Sequence, residues 1–520
     1  MSELQKNFKY FYEISKIPRK SFHEEKVVDY IEEFAKSHGY EYERDAIHNI
    51  IVRKPGSKGR ENEAPLILQA HTDMVCNKDE GVEHDFLKDP IEIMEVDGFL
   101  TANGTTLGAD DGAGVANILG LLDEEDLSNP PLECVFTVQE EDGMGGAKAL
   151  DMSGLKSKRM IGLDGIQEGT TIYSASAVKG CKFKADFKTV DKAYVRKNGY
   201  VLKVSGFTSG HGALMIGSGR ANAIKVSARI LQKLICAGSD IELCSMTGGG
   251  LIHVIPGSCD TEFACDLKLE EIIDKTAEII AQIKLEYADT DPKMEISLEK
   301  VEPGGGKGYA DAAGCAGKNA GAVGSGKTYV DAGDSSKTYA AAAESGKTYV
   351  DASDSARFIN LLYLLPVGAY RRTPDKLEQV EGSFNLSIMR MGEGRMAFDV
   401  VCRSNYPVDI QDLQDIMESF AKLFNVECER TLDYDGYHVP IDSPLIRIWN
   451  DVYKEDTGKD IGLTFMHSAL DAGTICRTLG VTDMVVIMPT TPDVHTTRER
   501  MNIDSFRRTY LYLKEILRRA

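Results

Sequence analysis

Ala70-His71-Thr72-Asp73-Met74-Val75 stands directly after the apolar run Leu66, Ile67, Leu68, and the fold turns on how this stretch is read. A buried strand ending in His-x-Asp presents an imidazole and a carboxylate on the same side of an extended chain, at the strand's carboxyl end. Open α/β sheets keep their chemistry there. A single His-x-Asp describes a core histidine bonded to a nearby acid equally well. The pattern gains weight by recurring.

Three more apolar runs end in the same manner. Cys134-Val135-Phe136-Thr137-Val138-Gln139 leads into Glu140-Glu141, Met160-Ile161-Gly162-Leu163 into Asp164, and Met484-Val485-Val486-Ile487-Met488 into a loop that carries His495. Between the first two lies Leu107-Gly108-Ala109-Asp110-Asp111-Gly112-Ala113-Gly114, opening a segment whose Val115, Ile118, Leu119 and Leu122 have helical spacing. Two histidines, an Asp at a Gly-rich turn, a Glu pair and another Asp make an N/O donor set suited to zinc, manganese or cobalt. Two such ions about 3.5 to 4 Å apart can share a hydroxide and polarise a carbonyl, the chemistry of amide hydrolysis. Adjacent Glu140 and Glu141 point to opposite sides of a strand, which leaves one free as a general base. In a protein this acidic, the same residues also describe a solvated rim.

Composition narrows the class. The chain has 520 residues, long enough for two to four domains with large cores. Its 11 cysteines form no Cys-x-x-Cys pair, which suggests reduced thiols in a cytoplasmic setting and argues against a thiolate metal site. The first residues resemble no signal peptide, and no run of 18 apolar residues occurs. A net charge of −21 argues against nucleic acid and anionic membranes as partners, since both need clustered Lys and Arg.

In chain order, residues 1–60 read as two helices and a strand, with Ser21-x-x-Glu24 as a capping box before an inner stripe of Val27, Val28, Ile31 and Phe34. Residues 1–179 suggest the first part of an α/β catalytic domain, and 429–520 return to the same style. Between them, 180–428 alternate like half-exposed strands and amphipathic helices, an inserted α+β domain. Within that insertion, 304–355 are rich in Gly, Ala and Ser with a ten-residue repeat, and are expected to be flexible because so little apolar surface offsets the cost of ordering. Gly321-x-x-x-x-Gly326-Lys327-Thr328 matches a phosphate-loop pattern there, but no apolar strand precedes it, so nucleotide binding is set aside.

The ordered motifs His71-Thr72-Asp73-Met74-Val75-Cys76, His84-Asp85-Phe86, Gly108-Ala109-Asp110-Asp111-Gly112 and Glu140-Glu141-x-Gly143-Met144 closely resemble those of the aminoacyl-histidine (Xaa-His) dipeptidases. These are carnosinase-like members of the dinuclear zinc exopeptidases. The resemblance covers roughly residues 5–300 and 357–518. It implies a zinc-exopeptidase-like catalytic domain, a mixed sheet flanked by helices, with an inserted α+β lid and dimerisation domain. It implies further that His71 and Asp164 bind one metal, Glu141 and His495 the other, and that Asp110 bridges, with Asp110-Asp111 a candidate cis peptide. Asp73 would orient His71, and Glu140 would take the proton from water.

On the lid, His211 matches a histidine that polarises the scissile carbonyl, in many relatives across a dimer interface, and Arg403 a residue that holds the substrate carboxylate. His467, in His467-Ser468-Ala469-Leu470-Asp471-Ala472-Gly473, matches a motif beside the metals. Departures fall mostly on the lid, where His253-Val254-Ile255-Pro256 replaces the usual Asn-Ala-Ile-Pro, and Asp471 replaces a Glu. The expectation is a cytoplasmic metallo-dipeptidase acting on short unblocked peptides, Xaa-His or β-Ala-His among them, as a homodimer through the lid. Two alternatives stand beside it: an aminoacylase, deacetylase or tripeptidase on the same frame, and a binding protein that works through the repeat insert.

Overall fold

The computed structural model describes residues 5–165, 167–190, 195–302, 347–374 and 376–520. The chain divides into two compact units. Apart from residues 303–346, the first runs to Ala175 and resumes at Asp435, and the second spans Ser176 to Tyr434. The composition-based limits, 180 and 428, fall inside two strands, Ala177–Asp186 and Glu427–Tyr434, that pair with one another.

The first unit is built on a six-stranded sheet of β1 (Glu41–Arg44), β2 (Ile50–Lys54), β3 (Leu66–His71), β4 (Leu132–Thr137), β5 (Arg159–Gly162) and β6 (Asp483–Val486), in the order β1-β2-β4-β3-β5-β6. The strands β4, β3, β5 and β6 are mutually parallel, while β1 and β2 are antiparallel additions. Every residue of β3, β4 and β6 is buried, as expected of parallel strands covered on both faces. Because His71 lies opposite Thr137, Gln69 opposite Gly162 and Gly162 opposite Val486, the four carboxyl ends open on one edge.

Helices α1 (Lys6–Ile14), α2 (Glu25–Ser37) and α3 (Ala109–Leu122) share one core with the sheet and with the C-terminal helix Ile503–Arg519. All of α3 is buried except Asp110, and its Gly120 lets Tyr510 approach so closely that a Cβ would lie 2.9 Å from the ring. The capping box expected at Ser21 and Glu24 does not form: α2 begins at Glu25 with no side-chain cap. Ser21 donates its hydroxyl to Asp73, and Glu24 accepts the Gln139 amide.

The second unit is a nine-stranded antiparallel sheet. Its core is shared with the helices Ala223–Cys236, Ala352–Leu364 and Pro407–Phe424. This is the two-layer α+β arrangement read from the sequence. One expectation needs correction. Residues 347–355, counted as flexible insert, form a short strand and the start of a helix, with Val350 in this core and Tyr349 packed on Cys244 and Ala264. Tyr349–Val350 pairs with Thr189–Val190, both Tyr349 and Val350 are buried, and Asp351 caps the next helix through the Asp354 amide. A Tyr and a Val suffice once they enter an existing core rather than building their own. The rest of the insert, including Gly321 to Thr328, lies outside the described residues.

Candidate metal centre

The shared edge of β3 to β6 gathers the donors. His71 is the last residue of β3, Asp164 lies two residues past β5, and Glu140 and Glu141 lie in a turn three and four residues past β4. The two glutamates are therefore not on a strand as expected: β4 stops at Thr137, and Gln139 turns the chain at φ 57°. Asp110 sits at the start of α3, where the Asp110-Asp111 peptide is cis. His495 comes from the loop that follows β6.

These groups converge. Donor atoms of His71, Asp110 and Glu141 lie within 4.8 Å of one another. Asp110 Oδ1 is 3.1 Å from His71 Nε2, and Asp110 Oδ2 is 2.9 Å from His495 Nε2. His495 Nε2 is in turn 2.8 Å from Glu141 Oε1. One carboxylate thus faces two imidazoles with its two oxygens. Burial pulls the His495 ring down, but Glu141 and Asp110 reverse this and raise it to about 11. Burial also opposes the charge on His71, and Asp110 and Asp73 overcome it. Asp164 is pushed well up by burial, then by Asp110, which places a further acid within electrostatic reach of the cluster. Buried acids that outweigh the cost of charging both rings make this a strongly anionic pocket, which suits a bound divalent cation.

Asp73 does more than the orientation of His71 expected of it. Its Oδ1 lies 3.3 Å from His71 Nδ1, and its two oxygens accept the amides of Glu140 and Glu141 at 3.0 and 3.1 Å and the Ser21 hydroxyl at 2.7 Å. One buried carboxylate therefore fixes both the histidine and the glutamate turn. His467 is buried at the end of the strand Gly462–Met466. Asp471 opens the next helix, its carboxyl raised to about 7 by burial, which the Thr137 hydroxyl partly offsets.

In the second unit, His211 pairs with Val254, so His253 lies beside it, with ring centroids 6.4 Å apart. Arg403 Nη2 is 3.2 Å from His253 Nδ1. A guanidinium only donates, so in this contact the ring nitrogen is the acceptor. The structure thus brings His211 and Arg403 to one polar cluster and adds His253 to it. Sequence reasoning also missed Arg19, Asn77 and Glu499 in the first unit. Arg19 lies within an unremarkable Ile17-Pro18-Arg19-Lys20 and Glu499 within a charged loop, and only their burial marks them.

The family model for Peptidase family M20/M25/M40 matches residues 67–519. A cytosol non-specific dipeptidase of Escherichia coli is 29% identical over 519 residues, covering 98% of this chain and 96% of that one. The crystal structure of an aminoacylhistidine dipeptidase from Vibrio alginolyticus superposes with a TM-score of 0.82 at 26% identity, over 98% of this chain and 96% of that one. An aminopeptidase PepT from Bacillus cereus shares the fold at a TM-score of 0.53 and 14% identity, over 99% and 98% of the two chains. The chain belongs to Peptidase family M20/M25/M40 and is a metal-dependent peptide-bond hydrolase.

Proposed function

We propose that this protein is a dipeptidase that uses two divalent cations, zinc first and manganese or cobalt as substitutes, on short peptides with free termini, Xaa-His and β-Ala-His among them. The observation that carries the reading is Asp110, whose two oxygens meet imidazoles from distant parts of the chain at 3.1 and 2.9 Å. Ligands about 2.0 to 2.2 Å from a zinc ion stand roughly 3 to 3.5 Å from one another, so this spacing fits a bridging carboxylate. His71 and Asp164 would hold one cation with Asp110, and Glu141 and His495 the other. The similarity to the two named dipeptidases, over nearly the full length of each, supports the substrate class.

Bound cations would polarise the scissile carbonyl and bring a shared water toward a pKa of about 7. Glu140, next to Glu141 and partly exposed, takes the proton from the attacking water on its carboxylate and returns it to the leaving amine. Asp73 keeps His71 in the tautomer that leaves Nε2 free to bind. By the family resemblance, Arg403 would hold the peptide's terminal carboxylate, His211 would polarise its carbonyl and His467 would contact the substrate beside the metals. By the same resemblance the particle is a homodimer through the second unit, which light scattering would check.

The test is chelation. Dialysis against a chelator is expected to abolish hydrolysis of dipeptides, and zinc, manganese or cobalt to restore it; full activity in metal-free protein refutes the mechanism. A panel of dipeptides, tripeptides and N-acylated amino acids then fixes the substrate, and preference for either of the last two classes would replace the dipeptidase assignment.

A further inference from the structure

Two buried ions outside the donor set tie the ligand-bearing loops together. Glu499 is 2% exposed and lies four residues past His495. Its Oε2 accepts the amides of Leu107 and Gly108, each at 3.0 Å, and its Oε1 those of Ala109 and Asp110 at 2.8 and 3.3 Å. Four successive N–H groups thus close on one carboxylate, two to each oxygen. Arg19, equally buried, grips the other side of the same loop. Its Nη1 donates to the carbonyls of Thr72 and Asp73 at 3.1 and 3.0 Å, and Nη2 donates to the Gly108 carbonyl. The Gly108 residue therefore offers its N–H to an anion and its C=O to a cation. Asn77 completes the set by donating to the His495 carbonyl at 2.8 Å.

We propose that Glu499 is the positioning residue of this centre: by holding the 107–110 amides on the same segment that carries His495, it sets the distance between Asp110 and His495, and Arg19 locks that assembly to the exit of β3. This rests on the metal-dependent reading above. The pattern of two donors per oxygen makes the chemistry specific. A carboxylate has lone pairs for all four donors, whereas a glutamine of identical shape must turn an NH2 group toward two of them. A residue that merely filled space would rank the variants the other way, with the isosteric glutamine harmless and the shorter aspartate disruptive.

The experiment strips metal from the full-length wild type, Glu499→Asp and Glu499→Gln, titrates each with zinc by calorimetry, and records the melting of the metal-free forms. Zinc affinity is expected to fall in the order wild type, Asp, Gln, with Gln at least about tenfold weaker, the scale seen for groups that orient metal ligands. Metal-free melting temperatures should stay within a few degrees. Zinc binding by Glu499→Gln equal to wild type, or better than by Glu499→Asp, overturns the proposal. If Glu499→Gln does not fold, Glu499→Asp decides: a several-fold loss supports the role and wild-type affinity overturns it. A wild type that takes up no zinc removes the parent reading and this one together, whereas normal wild-type uptake with an unaffected glutamine variant removes this one alone.

Discussion

Glu24 is an acid kept in an enclosed place beside another acid. Burial, and then Asp73, raise its carboxyl from 4.5 to about 7. A folded-state value above the unfolded one means that the native protein binds the proton more tightly. Glu24 therefore costs nothing below about pH 4.5, and its cost builds as the pH rises from there to about 7 and then levels off, on the order of 3 kcal/mol in all. Glu24→Gln retains an oxygen for the Gln139 amide without the charge. The metal-free variant is expected to melt higher than wild type at pH 8 and equally at pH 4.5, by thermal denaturation across that range; parallel curves would contradict it. The same neighbourhood shows which residues sequence makes legible. His71, Asp110 and Glu141 were readable because a donor at a strand exit or helix start has a place in a pattern. Ser21 and Glu24 carried a helix-capping pattern that the centre overrode, since an uncapped helix end costs about 1 kcal/mol and a buried carboxylate without donors costs more. Arg19 and Glu499 had no pattern at all, because their roles depend on backbone atoms that no spacing rule addresses.

At the level of elements, the turn into α3 explains its own glycines. Gly108 adopts φ 73°, and a Cβ on Gly112 would lie 2.5 Å from Arg19 Nη2. Arg19 is held by three carbonyls and has nowhere to retreat. Gly112→Ala is accordingly expected to destabilise the metal-free protein by about 1–3 kcal/mol, read from the urea midpoint, as other overpacked cores do. An unchanged midpoint would show that the guanidinium can move. The strands themselves were legible as apolar runs, and their common direction followed from having chemistry at every exit. Their neighbour order was not, because parallel pairing is decided by crossovers rather than by the composition of a strand. The two-residue strand Tyr349–Val350 was likewise hidden, since the same Lys-Thr-Tyr motif recurs within the repeat and only one copy is described as packed.

For the molecule as a whole, the functional parts of the first unit come from both ends of the sequence, with the second unit between them. Replacing residues 304–346 by a Gly/Ser linker of equal length is expected to leave peptide cleavage and melting temperature unchanged. Carrying the replacement on through Asp351 is expected to lower the melting temperature sharply, since it removes Tyr349, Val350 and a helix cap, and burial of one such aromatic is worth about 3–5 kcal/mol. Loss of cleavage in the shorter replacement would revive the reading in which the repeat is the working part. Among the described residues no helix is long and apolar enough to cross a membrane.

The position of β6 has a consequence for how the chain is made. It is the outermost strand and pairs only with β5, so the other five strands are paired among themselves in chain made before it. His495 and Glu499 both follow β6 in the chain. The ribosome thus delivers five strands of the frame before the segment that closes the cation cage, and a product cut before Asp483 would lose that segment together with the helix Ile503–Arg519 that completes the core.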